Sequence, residues 1–410
     1  MSQQGPLLVV SNAGRPSFAS ALDEAQLFPL IEVSFADAAR AVAQVQPSAV
    51  LADMRGADAV QFADLAEQIA PRQPYLPLIA VGPKHALPDN AIPFSPPLPS
   101  RKFDRLLPRL RAALRVRALH LAVLRRLGEQ PATRLPDSDP AQDATVLLIG
   151  RGGTYPALSV ALGQRLGVVG AFSIEAAGKH LNSRDIDGIV LGEGFTARVV
   201  DAFLTVLSED SRFRHLPVVL TSDQVVPTHE LSNLETILGE PAEVACNALP
   251  LIRQHAFEAR LARTLQAIDA EGRLDPQTGL LAKAAFDRDF ADAVRQTLSD
   301  GGGLSVARFT FDAAHPRAQY DGARIISRLM RKMDFGAALN DGSVIVVFAD
   351  TDLRNAHGIA RRLSAVMRHT ENGRRGARSE PAVTVATLLP QDTPKSLLAR
   401  LYDNTQRAAS

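Results

Sequence analysis

The sequence predicts an α/β protein: two doubly wound parallel-sheet domains in tandem, followed by a third α/β domain with a mixed sheet. Three observations predict it. Two segments open alike about 139 residues apart: Leu7-Leu8-Val9-Val10 runs into Ser11-Asn12-Ala13-Gly14, and Val146-Leu147-Leu148-Ile149 runs into Gly150-Arg151-Gly152-Gly153. Short apolar runs then follow each opening at matching offsets, separated by stretches of helical period. That is the pattern of strands covered on both faces by crossover helices, repeated once. The last part of the chain has its own alternation of longer strands and helices and does not continue the repeat.

Taken in order, the first copy continues with strands at Ala49–Ala52 and Leu78–Val81 and a helix over Phe35–Val45. The second continues with strands at Gly188–Leu191 and Val218–Leu220 and a helix over Phe195–Leu207. The glycines of 150–153 read as a tight strand-to-helix turn; the full spacing of a phosphate-cradling loop is missing. Each copy ends in a helix. Leu107, Leu110, Leu114, Leu121 and Leu124 mark the first, and Phe257, Leu261, Leu265 and Ile268 the second. Such stripes either pack on their own domain or also pair with a partner subunit. Pro108 belongs in the first turn of its helix or kinks it.

Gln130–Asp143, rich in Pro, Asp, Ala and Thr, reads as a linker. The resulting domains are 1–128, 144–270 and 271–410, with the linker at 129–143. The third domain should carry strands at Leu304–Phe311, Ser343–Phe348 and Ala382–Leu388. Its helices should be Ala284–Leu298, Ala323–Lys332, Ala356–Arg368 and Lys395–Ala409, with Gly373–Arg378 a solvated loop.

Composition narrows the function classes. The 410 residues hold 45 Lys+Arg against 44 Asp+Glu, so the basic excess of a nucleic-acid-wrapping protein is missing. Arginine outnumbers lysine 39 to 6, which keeps individual guanidiniums worth tracking as recognition groups. Cys246 is the only cysteine and the nine histidines are scattered, so neither a zinc site nor a disulfide is expected. No run of about 18 apolar residues predicts a membrane span. The start, MSQQGPLLVVSN, does not read as a secretory signal, and a cytoplasmic protein is expected.

The spacing of the two repeats resembles the receiver domains of two-component response regulators, which have a flavodoxin-like doubly wound sheet. The resemblance implies an acidic pair after the first strand, an Asp ending the third, Thr or Ser ending the fourth and Lys ending the fifth. In the first copy Asp53 stands at the phosphoacceptor position, but the acidic pair reads Ser11-Asn12, the Thr/Ser position falls near Gly82 and Ser95 replaces the Lys. In the second copy Gly192 replaces the acceptor, Gly150-Arg151 the acidic pair and Glu240 the Lys. Phosphoryl transfer needs the metal and the Lys to neutralise developing charge. Both copies are therefore expected to be degenerate docking or dimerisation modules, with Asp53 either structural or a phosphoacceptor.

Asp275-Pro276-Gln277-Thr278-Gly279-Leu280-Leu281, followed by Phe286, resembles the opening of GGDEF domains, the catalytic domains of diguanylate cyclases, which make cyclic di-GMP from two GTP. The order receiver–receiver–GGDEF resembles the PleD type of response regulator. The catalytic residues do not follow. Asn340-Asp341-Gly342-Ser343-Val344 takes the place of the GGDEF turn, and Thr310 takes that of a metal-binding acid, with Asp312 two residues on. The guanine-binding stretch shortens to Ala313–Gly322, in which Asp321 could match the family's accompanying Asp. Metal-assisted transfer needs those carboxylates, so no catalytic residues and no cofactor are expected.

What the family resemblance does preserve is the inhibitory RxxD site that binds cyclic di-GMP. Here it reads Arg331-Lys332-Met333-Asp334, with Arg362 as the second arginine. An arginine fork suits guanine O6 and N7 or a phosphate, and a carboxylate accepts from guanine N1 and N2. The resemblance thus implies a catalytically inactive cyclic di-GMP receptor or adaptor. It would be a homodimer, docking protein partners through its receiver-like domains, without nucleic acid and with recruitment to a cell pole in view. The readings left open are a ligand-free scaffold, a weakly active cyclase, and a domain that binds GTP without turnover.

Overall fold

The computed structural model describes residues 5–25, 28–83, 85–96, 103–129, 135–222, 229, 231–312, 316–368, 370–371 and 380–408. The expected loop at 373–378 and linker residues 130–134 lie outside them.

The first repeat is a five-stranded sheet of β1 (Leu7–Val10), β2 (Leu30–Val33), β3 (Ala49–Asp53), β4 (Leu78–Val81) and β5 (Ala91–Phe94). All pairs are parallel and the order is β2-β1-β3-β4-β5. Helices α1 (Ser17–Glu24), α2 (Phe35–Val45) and α3 (Ala59–Ile69) make crossovers, and α4 (Leu106–Glu129) closes the unit. Local chemistry sets the starts: Ser34 accepts from the Asp37 N–H to cap α2, and Asp58 accepts from Val60 to cap α3. Pro108 does sit in the first turn of α4.

The second repeat has β6 (Thr145–Ile149), β7 (Gly167–Ala171), β8 (Gly188–Leu191), β9 (Val218–Leu220) and β10 (Leu234–Thr236) in the same parallel order, β10-β9-β8-β6-β7. Its helices are α5 (Tyr155–Gly163), α6 (Ile174–Ser183), α7 (Ala197–Glu209) and the long α8 (Pro241–Asp269). In neither copy does a helix appear between the fourth and fifth strands among the described residues.

The two closing helices pair with each other. Arg115 forks onto Glu258 at 2.8 and 3.1 Å, and Arg126 pairs with Asp269, each link spanning 143 residues. Equal offsets require α4 and α8 to run parallel and in register. Val116, Val123 and Leu261 form the seam, with Leu119, Phe257 and Leu265 packed on it. Of the two expected uses of these stripes, own-domain packing and pairing with a partner subunit, the chain adds a third: each helix also packs on its internal copy. A buried ion pair locks the arrangement. Arg109, 1% exposed, reaches Glu235, 2% exposed, at 3.0 Å. It also donates to the carbonyls of Pro93, Ser232 and Leu234. The other Glu235 oxygen accepts from the Ser95 N–H at 2.7 Å.

The third domain follows βαββαβ order: β11 (Leu304–Thr310), α10 (Pro316–Leu329), β12 (Phe335–Ala338), β13 (Ser343–Ala349), α11 (Leu353–Met367) and β15 (Ala382–Thr387). Its sheet, β12-β13-β11-β15, is antiparallel at every pair, correcting the expected mixed sheet: β13 inserts between β11 and β12, the two strands that the α10 crossover joins. Alternate residues of β13 serve two cores. Val344, Val346 and Phe348 pack under α10 and α11; Ile345 and Val347 pack under α9 (Lys283–Asp300) and α12 (Pro394–Ala408). A two-residue strand, β14 (Thr370–Glu371), leaves this domain and adds antiparallel to β7, extending the second repeat's sheet. The expected helix at Ala323–Lys332 is corrected. It starts at Pro316, whose fixed φ suits a first turn, and ends at Leu329, so Arg331 to Asp334 form a turn.

Candidate functional site

The Asp275 motif is a fold-building turn. Asp275 Oδ1 accepts from the N–H groups of Gln277 and Thr278 at 2.9 and 2.8 Å and from the Thr278 hydroxyl at 3.0 Å. Gly279 takes a left-handed φ of 74°, and Leu280 is buried. The Asp, Thr, Gly and Leu of the motif each have a physical task, which explains their spacing.

The hairpin turn between β12 and β13 is the place where cyclase chemistry would be sought. Leu339–Gly342 connect the strands, with Gly342 at φ 80°, a left-handed value that closes the turn, and its N–H donating to the Leu339 carbonyl. Asp341 Oδ1 accepts from the Ser343 hydroxyl at 2.6 Å and from its N–H at 3.0 Å. Its other oxygen takes a 3.0 Å hydrogen bond from Arg308 Nη2. Arg308 also reaches Ser343 Oγ at 3.2 Å and lies 4.1 Å over the ring of Tyr402, whose hydroxyl points back to Asp341. Burial works to raise the Asp341 pKa, but the Ser343 bonds and the Arg308 charge outweigh it and hold the carboxyl below the ordinary range. Burial and the Asp341 charge push the Tyr402 phenol up. Thr310 pairs with Ser343 across the sheet, and Asp312 stands exposed just beyond β11. Sequence reasoning missed Arg308 and Tyr402. The signal for the first was an arginine inside the apolar strand LSVARFT.

At the other end of β12, Asp334 is buried. Its carboxylate accepts from the Ala349 N–H at 3.2 Å, and its own N–H bonds to the Arg331 carbonyl. Burial raises its pKa, opposed by backbone N–H bonds to the carboxylate from Ala349 and Arg331 and by the Arg331 charge. Arg331 is exposed, and so is Arg362, on the outer face of α11. Neither guanidinium has an ion pair or hydrogen bond among the described residues; Arg331 meets Asp334 through its backbone. Arg331 and Asp334 share the turn; Arg362 comes from the helix beyond the hairpin, which packs beside α10.

Asp321 is buried where α10 meets the second repeat. Arg317, Arg324 and Arg184 surround it, yet burial still raises its pKa. Arg324 donates to the Asp143 carbonyl at 3.0 Å, and Arg328 pairs with Asp185 at 2.7 Å. Only about 10 Å³ of free space remains beside Thr145, Arg184, Asp321 and Ile325. This face of α10 is closed by the second repeat.

No protein-family model matches the chain, and no curated protein matches it. The solved structures do supply neighbours. The GGDEF domain of DgcB from Caulobacter crescentus, solved with c-di-GMP, is 16% identical, covering 33% of this chain and 89% of its own, at a TM-score of 0.30. A sensory box/GGDEF family protein from Caulobacter crescentus is 23% identical, covering 33% and 97%, also at 0.30. The FimX GGDEF domain from Pseudomonas aeruginosa is 18% identical, covering 33% and 93%, at 0.30. At that identity and TM-score the likeness says nothing about activity.

In the first repeat, Asp53 is 1% exposed and fully engaged. Arg55 contributes its N–H at 3.1 Å, Nε at 3.0 Å and Nη2 at 2.9 Å, and Ser11 Oγ lies at 3.4 Å. Arg55, two residues on, thus holds both carboxylate oxygens of Asp53. Among the described residues no cluster of His, Cys, Asp or Glu could hold a metal ion, and no helix is long and apolar enough to cross a membrane.

Proposed function

We propose that the third domain is a GGDEF domain without cyclase activity and that the chain is a cyclic di-GMP receptor in bacterial second-messenger signalling, holding its ligand at Arg331, Asp334 and Arg362. One observation carries this reading: the hairpin is internally neutralised at its turn and open at its far end. At the turn, Arg308 occupies the neighbourhood where two-metal chemistry calls for carboxylates, and its fixed positive charge opposes a divalent cation. At the far end, the Asp334 carboxylate is already fixed in direction by Ala349, and exposed Arg331 in the same turn and exposed Arg362 on α11 carry guanidiniums without an ion pair among the described residues. A dianionic dinucleotide with two guanine edges matches that set. The repeats serve as docking modules for partner proteins, and Asp53 has a structural role.

The closed face of α10 and the Arg109–Glu235 lock favour a second reading, a rigid scaffold that takes no nucleotide. Calorimetric titration of the full chain with cyclic di-GMP separates the two. Saturable heat is expected. A flat titration would favour the scaffold. Incubation with GTP and Mg²⁺ should yield no cyclic di-GMP by chromatography, and turnover would overturn the loss of catalysis.

A further inference from the structure

A cavity of about 260 Å³ lies between the two repeats, away from every residue assigned above to the nucleotide. The end of α3, the approach to β4, α4, α8 and Leu135–Ser138 wall it. Its polar atoms are unusual. His120, 4% exposed, accepts the Tyr75 N–H at Nδ1 at 3.0 Å, so the neutral ring carries its proton on Nε2. That Nε2 is buried with no hydrogen-bond partner among the described residues. Burial and the Arg117 charge hold the ring's pKa below the ordinary range, which keeps it neutral at pH 7. Gln254, 7% exposed, also lines the cavity, and its side-chain amide meets the Tyr75 hydroxyl on the same wall. Native structures rarely leave buried donors without acceptors. The His120 Nε2 donor on this cavity calls for an acceptor that arrives from outside.

The remaining walls narrow its chemistry. Phe257 meets Tyr75 at 5.7 Å and His120 at 5.2 Å, edge to face, giving an aromatic wall. Arg72, Arg253 and Arg260 line the cavity against Asp89 and Asp137. Arg253 and Arg260 are committed to Asp139 and Asp143, and Asp89 to Arg165. Arg72 is exposed and has no ion pair among the described residues.

We propose that this cavity binds a small aromatic carboxylate, its oxygens accepting from His120 Nε2 and the Gln254 amide, its charge facing Arg72 and its ring against Phe257. The volume is below the roughly 300–1,000 Å³ of drug-sized sites, so a single-ring acid fits and a dinucleotide does not. Because both repeats contribute walls, occupancy stabilises their packing.

The test titrates benzoate into the full chain, followed by saturation-transfer NMR and by thermal melting, with inorganic phosphate as the bare-anion control. Saturable benzoate binding with a raised melting temperature is expected, and phosphate should not compete. Arg72→Ala, an exposed change that leaves packing intact, should weaken binding about tenfold. Gln254→Leu should remove it. No benzoate binding, or binding unchanged in both variants, would overturn the proposal. Phosphate competing as well as benzoate would overturn its aromatic part.

Discussion

The two ends of the β12–β13 hairpin carry similar residues and treat them in opposite ways. At the turn, Arg308, Asp341, Ser343 and Tyr402 satisfy one another. At the far end, Arg331 faces solvent while Asp334 is fixed on a backbone amide, and Arg362 on α11 is likewise exposed. Charges that pair inside the fold support it; charges left open are available to a ligand. The same contrast runs through the molecule, from the Arg109–Glu235 lock and the engaged Asp53 to the exposed Arg72.

If that contrast is right, changes at closed charges act on stability and changes at open ones on binding. The largest effect is expected at Glu235→Ala, which strands Arg109 between the repeats and should cost about 3–5 kcal/mol in denaturant melting. A loss below about 1 kcal/mol would mean the lock is not closed. Next, Arg331→Ala and Arg362→Ala should each weaken cyclic di-GMP binding by about 1.5–3 kcal/mol, the worth of a hydrogen bond to a charged group, while melting stays within about 0.5 kcal/mol of the parent. Asp341→Asn should lower stability by about 1 kcal/mol, the scale of a net hydrogen bond, without creating cyclase activity. Melting and a GTP turnover assay check both parts.

The smallest effect is in pH. Asp334 has a raised pKa, so the fold holds its proton more tightly than the unfolded chain does, and its contribution to stability falls as pH rises from the ordinary aspartate value through the raised one. Ligand binding needs the carboxylate. Affinity should therefore decline on acidification at a pH above the ordinary aspartate range, and Asp334→Asn should remove that step from the titration. Asp341 has the opposite sign: its support is present above the ordinary aspartate range and is lost as pH falls through its depressed pKa.

Much of the fold was legible in the sequence, because central parallel strands such as Leu7–Val10 and Val146–Ile149 are continuous apolar runs. The strands that escaped notice were short, flanking or diluted ones: Leu30–Val33 carries Glu32 on an edge, Ala91–Phe94 contains a proline, and Gly167–Ala171 has two glycines. The registered pairing of α4 with α8 was hidden because each leucine stripe could equally serve its own domain or another copy. Of the candidate site, the motif positions could be read, but their status could not. Whether an arginine is paired depends on distant residues, as Arg308 with Tyr402 shows. The closing of Asp321 by the second repeat depends on Arg184, far earlier in the chain.

The most direct measurement is a side-by-side calorimetric titration of cyclic di-GMP into the parent chain and Arg331→Ala, with melting curves on both samples. Saturable heat is expected for the parent, with binding at least about tenfold weaker in the variant and superimposable melting. Equal binding by both proteins, or no heat from the parent, would contradict it.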